Sequence, residues 1–146
     1  MLDLELLTNE VCDLAKKTGG FIRQERAHFS QDAVEVKSSN SFVSYVDKEA
    51  EKQLVAGLEK LLPQAGFIAE EGTKDTIGPV YNWIVDPLDG TTNFIHNIGC
   101  YAVSIALKKN DDIVLGVVYE VNQDECFYAW LGGGAFLNGQ LITVSP

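Results

Sequence analysis

Trp83-Ile84-Val85-Asp86-Pro87-Leu88-Asp89-Gly90-Thr91-Thr92-Asn93-Phe94 begins as an apolar strand and ends in the opening turn of a helix. The apolar run delivers Asp86 to a sheet edge, Pro87 fixes the backbone, and Asp89 returns on the next turn, so two carboxylates face one small volume. Carboxylates that close repel each other unless a cation lies between them. The Leu88 carbonyl is placed to be a further oxygen ligand, and an oxygen set with no His or Cys nearby suits Mg²⁺ or Mn²⁺ rather than zinc. Gly90 lets the backbone approach a ligand closely. Thr91-Thr92 then starts a short helix through Phe94 and Ile95 whose free N–H groups offer a seat for phosphate. Asp-Pro and Asp-Gly are also ordinary solvated turns, and the residues alone leave turn and metal loop both open. An EF-hand calcium loop is excluded because Gly90 comes one residue too early, and an Asp-x-Asp nucleophile pattern because two residues separate the aspartates.

Upstream, Gly66-Phe67-Ile68-Ala69 is a second apolar run ending in acids, Glu70-Glu71-Gly72. The pair reads either as an exposed acidic turn or as a rim where core meets solvent. Ala50, Leu54, Leu58, Leu61 and Leu62 predict a helix from about Val46 to Leu62, ended by Pro63. On local sequence Asp47 is an acid near that helix's start, favoured by the macrodipole. The polar stretch Glu35 to Ser44 predicts a hairpin or a mobile loop. Leu4, Leu7, Val11, Leu14 and Ala15 predict an earlier amphipathic helix, with Gly19-Gly20 as a stop or kink before Phe21 and Ile22. Downstream, Tyr101 to Leu107 and Ile113 to Tyr119 form a hairpin about Lys109-Asn110-Asp111-Asp112. Glu125 to Trp130 and Leu141 to Val144 are further strands, with turns at Gly132-Gly133-Gly134 and Asn138-Gly139. Helices first and a mainly antiparallel sheet afterwards predict α+β layering. Ser145-Pro146 follows directly on a strand, so the last strand is expected to leave an exposed edge that a partner chain or further domain would cover.

With 146 residues, 46% hydrophobic and 22% charged, the chain can build one globular core. Its net charge of -10 argues against a nucleic acid or an anionic membrane as partner and makes cations the natural counterweight. Cys12, Cys100 and Cys126 are scattered and odd in number, which reads as reduced thiols. No signal peptide precedes Glu10 and no apolar run spans a bilayer, so cytoplasmic is the default expectation. His28 and His96 read as hydrogen-bonded fillers rather than ligands, and Tyr81, Trp83, Phe94 and Tyr101 as core and strand aromatics.

Phe67-Ile68-Ala69-Glu70-Glu71-Gly72 and Trp83 to His96, in this order and at this separation, resemble the inositol monophosphatase family of lithium-sensitive, Mg²⁺-dependent phosphatases. Lys37-Ser38-Ser39, Asp47 with Glu51, and Gly133 to Gly139 also fit the family's course, so the resemblance covers almost the whole chain. It implies the layered sugar-phosphatase sandwich shared with fructose-1,6-bisphosphatase, of which residues 1–146 would be the N-terminal metal-binding part. It implies that Glu70, Asp86 and the Leu88 carbonyl bind one metal, that Asp86 and Asp89 share a second, and that Glu71 assists a weaker third. Asp47, Thr91 and Glu70 are the implied catalytic set, with Thr91 supported by Asp47 in orienting water, and the Gly90 and Thr91 N–H groups hold phosphate. The implied substrate is a small phosphorylated polyol, sugar or nucleotide, inositol monophosphate first, and the implied assembly is a homodimer. The family's downstream Trp-Asp segment, whose aspartate completes the second metal site, has no counterpart here, since Trp130 is followed by Leu131. The alternative is therefore a non-catalytic, truncated metal-binding or interaction module.

Overall fold

The computed structural model describes residues 2–29 and 36–146, with residues 36–39 described by backbone alone. Two long helices come first, α1 (Leu4–His28) and α2 (Val36–Leu61). Strands β1 (Gly66–Ala69) and β2 (Tyr81–Asp89), the short helix α3 (Thr91–Ile95), and strands β3 (Ala102–Lys109), β4 (Asp112–Glu120), β5 (Glu125–Trp130), β6 (Gly134–Leu137) and β7 (Gln140–Ile142) follow. The seven strands form one sheet in chain order, parallel between β1 and β2 and antiparallel from there on. The α+β class and the mainly antiparallel sheet expected from sequence are both present.

Asp3 caps α1, its carboxylate accepting the Leu6 N–H at 3.0 Å. Leu7, Val11, Ala15 and Ile22 then form a buried stripe at helical spacing. Gly19-Gly20 neither stops nor kinks this helix, which runs on to His28. Gly19 serves close packing instead: a Cβ there would lie 2.3 Å from the Tyr119 ring of β4. α2 likewise begins earlier than the apolar pattern suggested, at Val36, so the stretch expected to be a hairpin or loop is helical from that residue on. Glu35 lies outside the described residues. β6 is a further addition, since the glycines flanking it suggested only turns.

Both long helices cover one face of the sheet, α1 against β3, β4 and β5 and α2 against β2. Trp83, Val85, Val103, Ile105, Leu107, Leu115, Val117 and Tyr119 are buried beneath them. The other face follows from the pleat. Ile84, Ala106, Gly116, Ala129 and Ala135 lie in one cross-strand row there, and the neighbouring Ile68, Val118 and Phe127 are 42%, 43% and 38% exposed. Among the described residues no helix lies over that face, and Leu141 and Ile142 leave β7 as an open apolar edge. The β1 edge is treated differently, because Thr76 in the connection to β2 accepts the Phe67 N–H at 2.8 Å. No described helix is long and apolar enough to cross a membrane.

Candidate active site

The parallel pairing of β1 with β2 sets their carboxyl ends side by side, Ala69 opposite Val85. Glu70 follows directly and donates its N–H to the Val85 carbonyl at 3.2 Å, so the two acidic segments emerge together. Within β2 the register slips: Asp86 pairs with Ser104, but Asp89 pairs with Ala102. Three residues are spent on β2 where β3 spends two, a β-bulge. Side chains alternate along a regular strand, so residues three apart would point to opposite faces. The bulge restores Asp86 and Asp89 to one face, the face shared by Ser104 and Ala102. The sequence carried no direct sign of it beyond Pro87, which cannot donate to a ladder.

α2 supplies the second wall. Asp47 and Glu51 stand one turn apart, and both are buried. Glu51, fully buried, accepts the Glu71 N–H at 2.9 Å on one oxygen and the Thr73 N–H at 3.0 Å on the other. It thereby clamps the loop that presents Glu70. Sequence reasoning gave Glu51 no role, although an acid interrupting the stripe of Val46, Ala50 and Leu54 was a signal. Asp47 lies well inside α2 and not in its first turn, so the macrodipole does not account for it. Its carboxyl is pushed up to about 7 by burial first and then by the charges of Glu71, Glu70, Asp86 and Glu51.

Asp86 is also pushed up to about 7, by burial, by a hydrogen bond with the Glu70 carboxyl and by the charges of Glu70 and Asp89, against a Leu88 N–H that lowers it. That Leu88 N–H reaches Asp86 Oδ1 at 3.2 Å, while the Leu88 side chain is buried in the core. Carboxyls that share a proton when no cation is present form a donor set that a divalent ion fits, by taking the proton's place. Among the described residues, however, no three carboxylate, imidazole or thiolate groups converge into a cage. Glu70 and Asp86 are in contact, whereas the Asp89 side chain is exposed.

Gly90 caps α3 from the left-handed region, φ 95°, and a Cβ there would meet the Cys100 carbonyl at 2.7 Å, so both conformation and space call for glycine. Among the described residues no side chain caps the first turn of α3, which Thr91 opens. Phe94 seats this turn against α2 by stacking on Phe42 at 6.0 Å and edge-on to Tyr101 at 5.4 Å. No hydrogen bond joins Thr91 to Asp47 among the described residues. The histidines correct their sequence reading, because both are exposed at helix ends rather than filling space, His28 ending α1 and His96 following α3. The side chains of Lys37, Ser38 and Ser39 lie outside the description.

Residues 3–146 match the Inositol monophosphatase family. The chain belongs to that family. An inositol-1-monophosphatase from Mesorhizobium japonicum is 39% identical over 140 residues, which cover 95% of this chain and 53% of the relative. The extragenic suppressor protein suhB from Bartonella henselae superposes with a TM-score of 0.80 at 40% identity, over 94% of this chain and 53% of that one. Inositol monophosphatase from Anabaena gives 0.83 at 29% identity, over 99% of this chain and 51% of its own. This family member thus spans about half the length of the relatives it matches, and the sandwich architecture expected from sequence is the architecture of its structural neighbours.

Proposed function

We propose that residues 1–146 form the N-terminal, metal- and phosphate-handling part of a Mg²⁺-dependent phosphomonoesterase acting on a small polyol or sugar phosphate, inositol monophosphate first. The single observation that carries this reading is the Glu70–Asp86 contact, with Asp47 beside it, at the carboxyl ends of two parallel strands. Glu70, Asp86 and the Leu88 carbonyl would hold one Mg²⁺, and Asp86 and Asp89 a second, with Glu71 toward a weaker third. Bound there, the ions supply positive charge to phosphoryl oxygens and acidify a water molecule. The protein's own part is positioning and proton handling. Gly90 and Thr91 N–H groups orient the phosphate, and the Thr91 hydroxyl fixes the attacking water in line. Asp47, buried beside these carboxylates, takes up the proton.

The second reading is a non-catalytic metal-binding or interaction module, favoured by the absence of a three-group cage among the described residues. Phosphate release from inositol monophosphate by the purified chain, with and without Mg²⁺, separates the two. Release that needs Mg²⁺ and is lost in Glu70→Gln supports the enzyme; no release leaves the family membership standing and makes this chain by itself an incomplete catalyst. Asp86→Asn tests the metal site itself. Thermal stabilisation by Mg²⁺ should vanish in that variant, whereas an undiminished response, or one matched by Na⁺ at equal ionic strength, removes the assignment. A cytoplasmic homodimer is the setting proposed for the intact protein.

A further inference from the structure

Cys12 and Cys126 come from opposite ends of the chain and meet where α1 lies against β5. Both belong to the buried core, Cys12 at 6% exposure and Cys126 at none, and each lies near enough to the other to shift its titration. The two are not equally placed toward solvent. Cys12 lines an open cavity of about 260 Å³ between α1 and the β6–β7 turn, together with Lys16, Tyr128 and Asn138. Cys126 lies behind that wall. Asn138 pins it from the cavity side, accepting the Cys126 N–H at 2.8 Å on Oδ1 and donating its own N–H to the Cys126 carbonyl at 3.0 Å. The neighbouring Cys126 and burial hold the Cys12 thiol up while Cys126 is lowered, and Lys16 favours but Asp13 opposes a thiolate on either, so access and not acidity puts Cys12 first.

We propose that Cys12 and Cys126 are a dithiol modification site, which a low-molecular-weight disulfide entering the cavity converts to an intramolecular disulfide with Cys12 as the first thiol to react. The Cys12 thiolate attacks one sulfur of the small disulfide, forming a mixed disulfide and expelling one small thiolate, which takes the proton Cys12 gave up. Cys126 then attacks the Cys12 sulfur and expels the second small thiol. Two protein thiols are oxidised and one small disulfide is reduced to two thiols. The product ties the first helix to the fifth strand.

The test uses the Cys100→Ser chain, which removes the exposed third thiol, with 2-hydroxyethyl disulfide as the probe. Mass spectrometry of the intact protein should show the loss of two hydrogens and no retained probe. Digestion without reductant should give a Cys12–Cys126 peptide that dithiothreitol separates. Adding Cys126→Ala should arrest the reaction at a probe adduct on Cys12, and adding Cys12→Ala should leave Cys126 unmodified. The proposal is overturned if both thiols survive in the folded chain under conditions that oxidise it in guanidinium. A stable Cys12 adduct in the presence of Cys126, or reaction at Cys126 without Cys12, overturns it equally.

Discussion

Glu51 is the residue on which the local geometry turns. Replacing it with Gln keeps the shape but swaps one acceptor oxygen for a donor facing a backbone N–H, at 2.9 Å or 3.0 Å depending on the flip. Leaving one buried donor unsatisfied costs about 1–3 kcal/mol. Urea unfolding of Glu51→Gln should show a loss of that size, and Mg²⁺ titration should show weaker binding through the loosened Glu70 loop. The two raised carboxyls give a pH signature. Asp47 and Asp86 bind protons more tightly folded, at about 7, than their ordinary value of 3.8. The native state therefore carries the extra protons between about pH 4 and about pH 7, and its stability is full below that window and falls as pH rises through it. Melting of the metal-free chain should decline across this range, and Mg²⁺ should restore the loss at about pH 8. A melting temperature that rises toward pH 7 without metal would contradict the clustering.

At the scale of elements, the paired glycines of α1 make opposite predictions. A methyl at position 19 meets the Tyr119 ring at 2.3 Å, whereas no described residue lies within 4 Å of one at position 20. Gly19→Ala should destabilise by about 1–3 kcal/mol through overpacking. Gly20→Ala should stabilise by about 0.5–1 kcal/mol through reduced chain entropy. Denaturant unfolding of the two variants checks both. The same pair shows where sequence reading stopped. Glycine was legible as a break, while a ring arriving from a strand a hundred positions on was not. Elements announced by local pattern were legible: β1 as an apolar run, β5 from Glu125 to Trp130, the β3–β4 hairpin, and α3 after Gly90. The first turns of α2 were hidden because a polar stretch carries no apolar period. The acids at 70, 86 and 89 could be picked from sequence, but the bulge that turns two of them to one face depends on pairing with β3.

Among the described residues the molecule is lopsided, with helices on one face of the sheet and an apolar, small-residue row on the other. Val118 and Phe127 pair directly across β4 and β5 on that open face, 43% and 38% exposed. The chain should therefore bind hydrophobic fluorescent dyes and associate as its concentration rises. Val118→Lys with Phe127→Glu places an ion pair across the same register. It should reduce both effects in dye titration and sedimentation while leaving the circular dichroism spectrum unchanged.

Strand order equal to chain order has a consequence for how this molecule is made. As the polypeptide leaves the ribosome, each strand from β3 onward finds its neighbour already waiting, so the sheet can grow one strand per turn with little loop closure. Helix α1, which precedes α2 and every strand, waits longer than they do. Arg23 of α1 reaches the Tyr119 hydroxyl and the Val121 carbonyl across 96 and 98 positions of chain, so its seat does not exist until β4 has emerged. Until then the apolar stripe of α1 is open to whatever is nearby, and early in synthesis that is α2 or a chaperone.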